Sequence, residues 1–156
     1  MKKLFLSIIT VLMISLSAMA DDKQDALTFF NNYVSSANSY SPTITTLYSP
    51  SAKIIRQVVK PDGSLVNVNT DTATYIKQMK LSQGIAKMRN YKNNYSNVVV
   101  TPAANGTFKI SSLRQPAGET YKLKTYMIVK KQANGKWQII EEMMQTKQQI
   151  FLKYAK

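Results

Sequence analysis

Residues 53–69 read KIIRQVVKPDGSLVNVN, and this stretch decides the fold. Lys53 to Lys60 is rich in β-branched side chains, which suit a pleated, half-buried surface. Pro61-Asp62-Gly63-Ser64 is a turn sequence, because proline presets φ and glycine accepts a positive φ. Leu65-Val66-Asn67-Val68-Asn69 returns as the partner strand, so the segment predicts a β-hairpin. Directly behind it, Thr70-Asp71-Thr72 offers oxygens that can cap a helix. The apolar face of that helix carries Tyr75, Ile76 and Met79, then Ile85 and Met88 beyond a weak point at Gly84.

Helical spacing appears upstream of the hairpin. Over residues 22–38, Ala26, Phe29, Phe30, Tyr33, Val34 and Ala37 follow the i, i+3, i+4, i+7 pattern. Asn38 to Pro42 breaks it, and a short second helix at 43–49 carries Ile44, Leu47 and Tyr48. Downstream, four strands are expected over 91–101, 107–114, 121–131 and 137–146. Asn105-Gly106, Pro116-Ala117-Gly118 and Asn134-Gly135 turn the chain between them. The tail, 147–156, suits a strand extension or a short helix.

The resulting order is helix-helix-hairpin-helix-four strands. It resembles the nuclear-transport-factor-2-like superfamily, also called SnoaL-like or cystatin-like α+β cones. The residues carrying the resemblance are Ala26-Leu27-x-x-Phe30-x-x-Tyr33, the middle hairpin and helix, and Gly135-Lys136-Trp137-Gln138-Ile139-Ile140-Glu141-Glu142. The resemblance implies an α+β fold class, with a curved mixed or antiparallel sheet wrapped around N-terminal helices. It also implies an apolar pocket at the open end of the cone and a homodimer through the sheet. The superfamily spans isomerases, dehydratases, cyclases, carriers and catalytically empty interaction domains, so the fold leaves function open. Its enzymes commonly use an Asp–His pair or a Tyr with a carboxylic acid. This chain has no His, so only the second pair is available.

The first 20 residues carry a different signal. Lys2 and Lys3, the apolar run Leu4 to Leu16 and the closing Ala18-Met19-Ala20 are the three parts of a bacterial-type signal peptide. The apolar run is shorter than the ~20 residues of a membrane span. Without a Cys, lipid anchoring is excluded. The expected organisation is a signal peptide at 1–20 and a single α+β cone domain at 21–156, periplasmic or secreted and soluble after cleavage.

Past residue 20 there are 19 Lys and Arg against 8 acids, a net charge of +11. Such a surface suits an anionic partner or the envelope surface. Nucleic acid is not expected, because no nucleic-acid module pattern occurs and an exported chain rarely meets it. The lack of His and Cys removes the usual metal ligands, so no metal and no cofactor are expected.

Any catalysis therefore falls to a carboxylate and a phenol. Most acids sit at helix starts, caps or turns; Glu141 and Glu142 stand in the middle of the last strand. Consecutive strand residues face opposite sides, so one of the two points inward. An odd-length loop after the preceding strand places Glu141 in the apolar row of Leu123, Thr125, Met127 and Val129, and the clean segregation favours it. A two-residue Asn134-Gly135 turn instead puts Glu142 opposite Met127, and a bulge would shift the phase again. The catalytic candidates are Glu141, Glu142 and Tyr126. The expected ligand-binding residues are Phe30, Tyr33, Tyr48, Tyr75, Met79, Met127, Trp137, Ile139 and Glu141. The leading expectation is a non-catalytic exported domain that binds a small apolar or amphipathic ligand in its cone, or docks a partner on its basic sheet. The alternatives are an isomerase- or hydratase-like enzyme and an electrostatic interaction module.

Overall fold

The computed structural model describes residues 2–155, with side chains described from residue 18. The expected signal peptide therefore lies largely outside the described side chains. The first helix, α1 (Lys2–Asn38), starts far ahead of residue 22. No Gly or Pro occurs between Lys2 and Asn38 to stop it. No helix among the described residues is long and apolar enough to cross a membrane.

The rest follows the expected order. A 3-10 turn (Pro42–Leu47) leads into β1 (Tyr48–Val59), β2 (Leu65–Thr70), α2 (Thr72–Met88), β3 (Asn94–Ala103), β4 (Thr107–Gln115), β5 (Leu123–Lys131) and β6 (Trp137–Thr146). A further 3-10 segment, Gln149–Tyr154, settles the tail as a short helix. The six strands form one mixed sheet in the order β2-β1-β6-β5-β4-β3. Only β1 and β6 run parallel; the other pairs are antiparallel. The architecture is α+β and cone-like: α1 and α2 cover the inner face of the sheet.

Strand alternation builds that inner face. Ile54 and Val58 of β1, Phe108 and Ile110 of β4, Met127 and Val129 of β5 and Ile139 of β6 are all buried. Ala26, Phe29, Phe30 and Tyr33 of α1 lie on them and complete the core. Fully burying each large side chain stabilises the fold by about 1.5–3 kcal/mol. The Asp71 Oδ1 accepts the Thr74 amide at 2.8 Å and caps α2, as its sequence implies. The far half of α2 departs from expectation. Ile85 is 55% and Met88 88% exposed, so the apolar stripe of α2 meets the core only through its first turns.

The β5–β6 connection decides the site. The Gln132 amide donates to the Lys136 carbonyl, so residues 133–135 form an odd-length loop, with Gly135 at a φ of +79°. Ile139 pairs with Val129, but Glu141 already pairs with Ile128, which leaves Ile140 as an extra residue. This bulge reverses the phase that the odd loop had set. Ile139 and Glu142 therefore both face inward, although they stand three positions apart.

Candidate functional site

Glu142, not Glu141, is the inward carboxylate, which corrects the preference drawn from face segregation. Segregation predicts the correct inner row on β5, but the bulge at Ile140 breaks its continuation along β6. Glu142 is 1% exposed. Its Oε2 accepts from the Tyr48 hydroxyl at 2.5 Å and the Tyr33 hydroxyl at 3.4 Å. Its Oε1 accepts from Arg56 Nη1 at 3.0 Å and the Tyr75 hydroxyl at 3.4 Å. A carboxylate offers about four acceptor sites, so these donors fill it.

Three elements deliver these four donors. Tyr33 follows Phe29 by one helical turn on the inner face of α1. Tyr48 opens β1. Arg56 sits on the inward row of β1 between Ile54 and Val58. Tyr75 lies in the first turn of capped α2. The phenols also pack edge to face, Tyr48 with Tyr75 at 5.5 Å and Tyr33 with Tyr48 at 6.5 Å between centroids. The Arg56 guanidinium lies 4.6 Å from the Tyr75 ring centroid, a cation–π contact.

Burial, with the negative charge of Glu142 next in weight, raises the Tyr33 and Tyr48 pKa values well above 10.0. Tyr75 shifts up as well, chiefly by burial. Burial alone would lower the pKa of Arg56; Tyr75 and Glu142 outweigh it and hold it raised. All three phenols thus stay protonated as donors, and the guanidinium stays charged.

The space beside Glu142 is too tight for a water molecule. Room opens in front of Arg56 and Tyr75 instead. A cavity of about 920 Å³ lies between β2, α2 and the C-terminal segment, walled by Val68, Met79, Ile85, Tyr91, Phe151 and Tyr154. A smaller one of about 220 Å³ shares Arg56, Tyr91, Gln148 and Phe151 with it and reaches Arg114.

The expected ligand-binding residues divide accordingly. Tyr75 and Met79 line the large cavity. Phe30, Tyr48, Met127 and Ile139 are core residues, each under 5% exposed, and do not line it; Tyr33, 4% exposed, lines instead a smaller cavity of about 190 Å³ together with Tyr75 and Met79. Trp137 lies at the other end of β6, in a separate groove with Phe29 and Leu47. Glu141 and Tyr126 are on the outer face of the sheet. There the Tyr126 hydroxyl donates to Glu141 at 2.6 Å and Lys53 Nζ approaches Glu141 to 3.9 Å. Sequence reasoning missed Arg56, although it alternates with Ile54 and Val58, and an Arg on an inward row marks a buried partner.

Solved structures show the same architecture. A candidate scytalone dehydratase from Novosphingobium aromaticivorans superposes with a TM-score of 0.59 at 12% identity, over 82% of this chain and 85% of that one. A nuclear-transport-factor-2-like protein of unknown function from Shewanella oneidensis gives 0.58 at 11% identity, over 79% and 98%. The chain has the nuclear-transport-factor-2-like fold. A candidate ketosteroid isomerase from Shewanella frigidimarina shares that fold too, with a TM-score of 0.54 at 13% identity over 75% and 91%. No protein-family model and no curated protein matches the chain. At these identities the likeness carries the nuclear-transport-factor-2-like fold and no activity.

Proposed function

We propose that the chain is an exported, non-catalytic domain that holds a small amphipathic ligand in the mouth of its cone. The observation that carries this reading is the division between Glu142 and the open space. The carboxylate has every acceptor site filled and no room for a substrate beside it, whereas a cavity of about 920 Å³ opens in front of Arg56. That volume lies within the roughly 300–1,000 Å³ of small-molecule sites. The exposed side chains of Ile85, Tyr91 and Tyr154 around it supply apolar surface for the tail of such a ligand. Export rests on the three-part signal at residues 1–20 and the Ala-x-Ala end.

An enzyme reading has one specific observation in its favour. An inward carboxylate within hydrogen-bond reach of a phenol is the pair such a reaction needs, and Glu142 with Tyr48 at 2.5 Å provides it. A general base must also reach a substrate proton, and the filled, closed surroundings of Glu142 deny that. Docking on the basic sheet draws less support, since Lys53 lies near Glu141 and Lys109 sits 4.4 Å from the Tyr126 ring.

The test is to purify the protein from the periplasm or medium, sequence its N-terminus, and extract and weigh any bound small molecule. The expected result is a chain beginning at Asp21 with an amphipathic molecule in near-stoichiometric amount. A turnover abolished by Glu142→Gln in a variant of unchanged circular dichroism would overturn the non-catalytic reading.

A further inference from the structure

Arg114 sits on the inward row of β4 behind Phe108 and Ile110 and is 5% exposed. Its Nη1 donates to Asn93 Oδ1 at 2.9 Å and its Nη2 to the Gln145 carbonyl at 2.8 Å, both neutral acceptors. Its Nε has no partner, and it forms no ion pair among the described residues. Burying a charge is expensive unless an opposite charge compensates it. Glu142 does this for Arg56, and nothing described does it for Arg114.

Arg114 lines the cavity of about 220 Å³ that adjoins the large one across Phe151 and Tyr91. The charges around this smaller space nearly cancel. Arg56 is balanced by Glu142, and the wall carries both Lys147 and Glu119. One positive charge, that of Arg114, is left over. The geometry points to a subsite for a single carboxylate on Arg114, so that the ligand of the cone is an amphipathic monocarboxylate with its apolar part in the large cavity. A guanidinium fork matches the planar carboxylate, and one surplus charge matches a monoanion better than a phosphate dianion.

The inference rests on the cone-ligand reading above, and the test separates the two. Titration calorimetry of the protein uses three probes with one tail: dodecanoate, dodecanol and dodecyl phosphate, each below its micellar concentration. The expected result is dodecanoate binding roughly tenfold or more tightly than dodecanol, the worth of a charge-assisted contact. Arg114→Gln should erase that difference and leave dodecanol binding unchanged. Equal binding of dodecanoate and dodecanol would overturn the carboxylate seat while leaving the apolar cone reading intact. Tighter binding of dodecyl phosphate than of dodecanoate would overturn the single-charge match. If no probe binds, the cone-ligand reading fails and takes the subsite with it. Should Arg114→Gln not fold, Arg114→Lys, which keeps the charge and loses the fork, should weaken the dodecanoate preference, and an undiminished preference would overturn the seat on Arg114.

Discussion

Glu141 and Glu142 are neighbours in the chain with nearly the same chemical company, yet they live in opposite worlds. Each has a phenol within 2.6 Å and a cation within 4 Å. Glu142 is sealed between the sheet and both helices with three phenols and a guanidinium. The Glu141 side chain is 25% exposed, and its Lys53 partner 60%. The difference teaches that solvent, not partner type, sets what such a cluster is worth. Water screens the outer pair and lets it break at little cost. Inside, every contact is irreplaceable, because a group that loses its partner finds no water.

The largest effect should come from breaking the inner cluster. Glu142→Ala leaves the Arg56 guanidinium buried without its counter-charge, and denaturant unfolding should show a loss of about 3–5 kcal/mol. A loss comparable with that of an outer-face variant would show that water reaches the cage.

Alkaline titration sharpens the comparison at intermediate size. The Tyr126 pKa is raised to about 12, by partial burial first and then by its hydrogen bond to Glu141. Tyr33 and Tyr48 are raised well above the usual tyrosine value, first by burial and then by the charge of Glu142. In each case the unfolded chain releases its proton near 10.0 while the folded chain keeps it. Stability is therefore full below pH 10 and falls as the pH climbs toward the folded-state values. Ultraviolet difference absorbance should show exposed phenols ionising first, Tyr126 near pH 12, and Tyr33 and Tyr48 only together with unfolding. Early, reversible ionisation of the inner pair would contradict the sealed cage.

The smallest effect is expected from Glu141→Gln. It removes a half-exposed pair and should change stability by no more than about 1 kcal/mol in the same unfolding assay. It should also leave ligand binding in the cone untouched, because Glu141 lies on the far side of the sheet. A large loss would mean that the outer face is covered by another surface.

Much of this molecule was legible in its residues. The hairpin at 53–69, the Asp71 cap and the apolar spacing of α1 are local signals, and local geometry honours them. The inner row of β5 could be read from alternation alone. What alternation could not supply was the phase of β6 beyond Ile140. A bulge arises where the curvature of the sheet demands it, and curvature is set by all six strands and the helices they wrap. The identity of the inward carboxylate hung on that one extra residue. Arg56 was readable in principle, since it interrupts the inward apolar row of β1. Its partner was not, because β1 and β6 meet side by side across more than 80 residues of chain.

The sequence by itself determined the elements, their order and the inward row of most strands, because spacing and turn chemistry act over a few residues. Only the tertiary structure decided which glutamate is buried, that its four donors come from α1, β1 and α2, and that Arg114 is buried with neutral partners alone. Those are properties of long-range register and packing, where a single-residue shift in one strand exchanges the inside of the cone for the outside.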